Sequence, residues 1–99
     1  KYLRYHEVVE VEGKFGINDC DGNVLVSAKY DFLRRYYTYV DDLCLMPIIA
    51  QRDGKMGLIL PDGHDTIVAD FIYDDISLRD EYPYFEARQG KKKILLETK

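Results

Sequence analysis

The sequence has no tryptophan, only two cysteines and three prolines, and no long run of apolar residues. A membrane-crossing helix needs about 20 mainly apolar residues, and no window approaches that, so no membrane span is expected. Cys20 and Cys44 cannot make a disulfide framework and lack metal-site spacing. Two reduced thiols are the expectation, with one disulfide as the alternative. His6 and His64 stand alone in sequence, without the i, i+4 partner of a zinc helix. Positive charge is not in excess either: the formal net charge is −4. Nucleic acid asks for a basic face, so no nucleic-acid partner is expected, whereas a basic protein partner is permitted. Helical periodicity is poor, and only Asp70 to Leu78 and Asp31 to Tyr36 would hold a helical turn. The chain starts at Lys1, not Met, so the lack of a leader says nothing about compartment.

What is abundant is tyrosine, at nine of 99 residues. Tyrosine suits strands, and it suits surfaces that are both apolar and wet. The length is that of one domain, 1–99.

The chain also repeats itself. Gly13-Lys14-Phe15-Gly16-Ile17, with Asp21-Gly22 and then Tyr30-Asp31, recurs as Gly54-Lys55-Met56-Gly57-Leu58, with Asp62-Gly63 and then Tyr73-Asp74. Stacked supersecondary units produce such ordered recurrences. Units are placed at about 5–33 and 46–76, with a partial third at 84–97. Each reads as a three-stranded meander with an aromatic tail. The fold class is therefore all-β, an antiparallel meander of tandem three-stranded β-repeat units.

Register follows from alternation. If Val9 and Val11 share a face with Phe15 and Ile17, the intervening loop has an odd length. A three-residue loop around Gly13 then fits better than a two-residue primed turn. The next turn, Cys20 to Asn23, sets Ile17 opposite Val26, and the same spacing sets Leu58 opposite Ile67. Pro47 points to a strand that begins after it or lies at an edge. In the second unit Ile48 and Ala50 face inward. Its Tyr-Asp pair comes two residues late, which places an insertion near Val68 to Phe71. In the third hairpin Phe85 and Ala87 match Ile94 and Leu96 only across a two-residue turn. Gly16 and Gly57 fall inside strands, where glycine costs roughly 0.5–1 kcal/mol against alanine. That implies close approach of another backbone or of an aromatic ring, with Tyr30 and Tyr73 as the candidate rings.

Reactive constellations are sparse. Asp19, Asp21 and Asn23 suggest a calcium loop, but Gly22 stands fourth instead of sixth, and Tyr30 stands where the twelfth-position glutamate belongs. The acid pairs Asp41-Asp42, Asp74-Asp75 and Asp80-Glu81 are sequence neighbours, which strands point to opposite faces. Lys91-Lys92-Lys93 reads as a charged edge strand. No catalytic set emerges, so a nonenzymatic role without cofactor or metal is expected. The strongest binding candidates are the tyrosines and arginines between units: Arg34, Arg35, Tyr36, Tyr37, Tyr39, Arg79, Tyr82 and Tyr84. Both residue types are enriched at binding hot spots.

On the two G-K-x-G copies with their Asp-Gly and Tyr-Asp followers, the chain resembles the WG-repeat (KWG-repeat) family of bacterial β-repeat proteins. The likeness spans about 5–76, and 84–96 more loosely. The family usually has Trp or Tyr before the second glycine, where this chain has Phe15 and Met56. The resemblance implies an all-β repeat architecture and a role in recognition or scaffolding. The expected partner is a protein, with a glycan as the other ligand class. An alternative, resting on charge and size alone, is a small acidic inhibitor or immunity-type protein that blocks a basic partner.

Overall fold

The computed structural model describes residues 7–19, 21–34, 47–78 and 84–98, and among them there is no helix. Among the described residues ten strands follow one another: β1 (Glu7–Val11), β2 (Lys14–Asn18), β3 (Val24–Tyr30), β4 (Phe32–Arg34), β5 (Ile48–Arg52), β6 (Lys55–Ile59), β7 (Ile67–Tyr73), β8 (Asp75–Leu78), β9 (Tyr84–Gln89) and β10 (Lys92–Glu97). They form three antiparallel sheets in the orders β1-β2-β3, β4-β5-β6-β7 and β10-β9-β8. The expected aromatic tail of each unit is therefore a strand. A single residue, Asp31, separates β3 from β4, and Asp74 separates β7 from β8. Each exit strand leaves its own sheet and pairs with the next hairpin, β4 on β5 and β8 on β9. No helical turn forms over Asp70 to Leu78, which is β7 and β8, and the described part of Asp31 to Tyr36 is a bend followed by β4.

The central sheet is covered on both faces. Ile48, Ala50 and Ile59 join Ile17, Val26 and Tyr30 of the first sheet in one core, with Leu25, Leu33 and Phe71 against it. Ile49 and Leu58 join Ile76, Phe85 and Ala87 of the third sheet in another. Ile48 and Ala50 thus face inward as expected, but so does Ile49 between them, because β5 has a core on either side. Strands buried on both faces lose the alternation from which register is read. Pro47 directly precedes β5, so that strand does begin after the proline.

The first two hairpins close through two-residue turns, and in the first this replaces the expected three-residue loop around Gly13. Val11 faces Lys14 across Glu12-Gly13, and Arg52 faces Lys55 across Asp53-Gly54. Both residues of each turn are left-handed, at φ +53° and +81° in the first and +54° and +83° in the second. This is the primed geometry that follows the twist of the strands. Val8 consequently meets Ile17, Glu10 meets Phe15, and Val9 meets Gly16. The premise about Val9 and Val11 failed because β1 is an exposed end strand whose valines do not mark the core. The third hairpin matches expectation: Phe85 faces Leu96 and Ala87 faces Ile94.

Ile17 does face Val26. Leu58, however, faces Ala69, and it is Ile59 that faces Ile67. The two-residue insertion therefore lies before β7, in the turn at 60–66, and not near Val68 to Phe71. Asp19 N–H donates to Asn23 C=O in the first unit, and Leu60 N–H donates to Thr66 C=O in the second, closing a loop two residues longer.

Gly16 and Gly57 each sit opposite a bulge. Phe15 faces Tyr30 and Ile17 faces Val26, so residues 27–29 oppose Gly16 alone, and 70–72 oppose Gly57 in the same way. A Cβ on Gly16 would lie 2.6 Å from Val26 C=O and 2.8 Å from Ala28 N. On Gly57 it would lie 2.7 Å from Ala69 C=O and 2.9 Å from the ring of Phe71. The approach is thus made by backbone at both sites. The ring over Gly57 belongs to Phe71, not to Tyr73. Phe71 also stacks on Tyr30 at 5.8 Å and carries the Arg52 guanidinium 4.4 Å from its centroid. Gly57→Val should therefore lower the melting temperature, at a cost of about 1–3 kcal/mol or more from overpacking. Thermal denaturation checks this, and an unchanged or raised melting temperature would contradict the close approach.

Candidate functional site

The polar residues of the recurring motif meet at the bends between sheets. Lys14 opens β2 and extends its ammonium to the Asp31 carboxylate. The other Asp31 oxygen accepts Asp53 N–H at 3.0 Å, and Asp31 N–H donates to Gln51 C=O at 2.8 Å. Asp31 therefore ties the first sheet to the hairpin of the second. Asp74 repeats the arrangement: its carboxylate accepts from Lys55 and from Gly90 N–H, the latter at 2.7 Å, and its N–H donates to Arg88 C=O. The recurrence of G-K and Tyr-Asp is thus a recurrence of joints. Such exposed ion pairs contribute little by themselves. Their role here is to aim a carboxylate at a turn.

A second joint was not legible in the sequence. Asp65 is left-handed at φ +50° and only 8 % exposed at its side chain. It reaches back to the first unit, where Oδ1 accepts Ser27 N–H at 3.1 Å and Oδ2 accepts the Tyr30 hydroxyl at 3.0 Å. Lys29 stands 3.5 Å from the same carboxylate. Beside it, Gly63 N–H donates to Leu25 C=O at 2.8 Å. The turn of the second unit thus closes over the bulge of the first. The signal was hidden by the insertion. In the structure Asp19 corresponds to Asp62, and Asp65 takes the left-handed place of Gly22.

The suspected calcium loop is a self-contained turn. One Asp19 oxygen accepts the N–H groups of Asp21 and Asn23 at 2.9 and 2.8 Å. Asp62 likewise accepts from His64 N–H and from the Thr66 hydroxyl. An Asp side chain mimicking a backbone turn is a usual use of this residue. Among the described residues, no cluster of three or more His, Cys, Asp or Glu is placed to hold a metal ion.

Of the binding candidates, Arg34 and Tyr84 lie within the described residues. Arg35, Tyr36, Tyr37, Tyr39, Arg79, Tyr82, and likewise Cys20, Cys44 and His6, lie outside them. Arg34 ends β4 in the central sheet, exposed, with its guanidinium 5.8 Å from the ring of Phe32. Tyr84 opens β9 in the third sheet and is 41 % exposed. The two stand at the edges of separate connectors, one in the central sheet and the other in the third. Phe32, exposed beside Arg34, is a further aromatic that the sequence reading passed over.

The joints titrate. The Lys14 ammonium and then the Asp53 amide hold Asp31 below the usual carboxylate range. Lys55 and then Gly90 N–H do the same for Asp74, and the Thr66 hydroxyl and then His64 N–H for Asp62. A carboxylate with a depressed folded pKa adds stability that is full above its unfolded value and lost as pH falls through the folded one. Burial, then the hydrogen bond to Asp65, raises the Tyr30 hydroxyl. Asp31 raises Lys14. Their contributions are full below their unfolded values and fade as pH rises beyond them. Melting temperature should therefore be level near neutrality, fall below about pH 4, and fall again above about pH 10. Scanning calorimetry across pH checks both flanks.

Asp65→Ala strips two donors of their acceptor and should cost about 1–3 kcal/mol. Tyr30→Phe should cost less. In a double-mutant cycle the two should be nonadditive, because the second change removes nothing once the first is made. Additive losses in chemical denaturation would show that the Tyr30–Asp65 bond contributes nothing.

Comparison with protein-family models, with curated proteins and with solved structures returns no match for this chain.

Proposed function

We propose that the chain is a noncatalytic β-repeat module of the WG-repeat kind that recognises a protein, with a glycan as the other ligand class. The contact surface is the set of segments that join its units. One observation carries this reading: the motif's polar groups are used to build the stack. Asp31 links Lys14 of its own unit to the Asp53 amide of the next, Asp74 links Lys55 to the Gly90 amide, and Asp65 reaches back to Tyr30. A motif spent on joints leaves recognition to side chains elsewhere. Those at the connector ends include Arg34 and Tyr84, both of hot-spot type, with the exposed ring of Phe32 beside Arg34.

Affinity capture with the native-length protein, followed by titration of the recovered partner, tests the reading. Replacing Tyr36 and Tyr37 together by alanine should weaken binding by about 30-fold or more, the effect of losing one strong hot spot. Binding as tight as wild type would displace the site from the connectors. Loss on neutralising Asp41 and Asp42 instead would identify an acidic blocking protein.

A further inference from the structure

The two end strands of the stack are complementary to each other. Within the chain, the strand that opens the second hairpin, β5, is paired on its outer side by β4, and the strand that closes it, β6, is paired by β7. Among the described residues, the strand that opens the first hairpin and the strand that closes the third have one such neighbour fewer. Among the described residues, β1 is bonded to β2 alone and β10 to β9 alone. Their charges are opposite. Glu7 and Glu10 project from β1 and Glu12 from its turn, all exposed, while Lys92 and Lys93 project from β10 and Lys91 from its turn, also exposed.

We propose that β1 of one copy of this chain adds antiparallel to β10 of another, making a continuous six-stranded sheet β8-β9-β10-β1-β2-β3 across the contact. One register sets two acid–base pairs and one apolar pair on the same face, while Val11 falls opposite Lys92 and Glu7 opposite Leu96 on the other face. With Glu10 opposite Lys93, Glu12 comes to Lys91 and Val8 to Leu95, and Val9 meets Ile94. Val8 and Leu95 are otherwise large apolar side chains left 38 % and 55 % exposed. Shifting the register by two residues in either direction sets Val8 against a charge, Lys93 or Glu97. The acidic strand also answers an imbalance in the third sheet. Lys93 lies directly opposite Arg88, a like-charge pair that costs stability, and Arg88 lies opposite Asp75 on its other side. Glu10 of the second copy extends that row to Asp75-Arg88-Lys93-Glu10, so that Lys93 gains a carboxylate. Pairing two β1 strands with each other instead would bring Glu7, Glu10 and Glu12 of both copies together with no lysine from β10 to answer them. The contact joins different surfaces, so it propagates head to tail. It uses edges distinct from the connector surface proposed above, and it does not depend on that reading.

Sedimentation velocity on the wild-type chain at rising concentration and low ionic strength should show reversible association. Association should weaken by about tenfold or more near 1 M salt, where the screening length falls to about 3 Å. The triple variant Lys91→Glu, Lys92→Glu, Lys93→Glu and the double variant Glu10→Lys, Glu12→Lys should each sediment as a monomer. An equimolar mixture of the two should associate again, which a variant that had merely lost its fold could not do. A wild-type chain that stays monomeric up to about 1 mM, the weak end of specific affinity, overturns the proposal. So does self-association of either variant at the wild-type level, or a mixture that remains monomeric.

Discussion

Asp31 and Asp74 sit where a strand leaves one sheet and enters the next, and the rest of the stack depends on what they hold. Each has its backbone N–H on a carbonyl of the next hairpin and its carboxylate shared between a lysine of its own unit and a turn amide of the following one. A chain that changes sheets within one residue must satisfy the polar groups exposed at the corner. The aspartate does so locally, and in doing so orients the next hairpin.

With the corners set, packing follows. β4 and β8 are delivered to the edges of β5 and β9, so the central sheet acquires hydrophobic neighbours on both faces. Gly16 and Gly57 allow the bulged strands to approach without a Cβ in the way. The bulge in β3 presents Ser27 N–H to Asp65, and Tyr30 gains a partner for its hydroxyl while its ring remains in the core. A buried tyrosine needs such a partner, so the left-handed backbone at Asp65 is offset by the bonds it permits. The same geometry has a functional consequence. The motif residues are occupied in joints, which is why the contact surfaces proposed above are the connectors and the sheet edges.

Much of this was legible in the residues. The recurrence of Gly13-Lys14 at Gly54-Lys55 located the first two hairpins, and alternation at Phe85, Ala87, Ile94 and Leu96 gave the third with its correct turn. Ile17 opposite Val26 followed from turn length. The errors share one physical origin, which is that sequence patterns report burial against a single core. β5 has two cores, so Ile48, Ile49 and Ala50 carry no alternation to count. β1 has little core at all, and its valines misled the parity of the first turn. The Asp62-Gly63 match to Asp21-Gly22 was a misalignment by two residues: Asp62 plays the part of Asp19 and Asp65 takes the place of Gly22, so the match concealed Asp65. Of the candidate surface, Arg34 and Tyr84 were named from residue type, while the cation–ring pairing of Arg34 with Phe32 required the strand geometry of β4.

The sequence by itself determined that the chain is all-β, that it is built from hairpins, and that Gly16 and Gly57 fall inside strands. These are local matters of propensity, turn chemistry and backbone freedom. Only the tertiary structure decided which strands share a sheet, which faces are buried, and where each charged motif residue points. Those outcomes rest on contacts between residues far apart in the chain, such as Asp31 with Asp53, Asp74 with Gly90 and Asp65 with Tyr30, and local preference does not encode them.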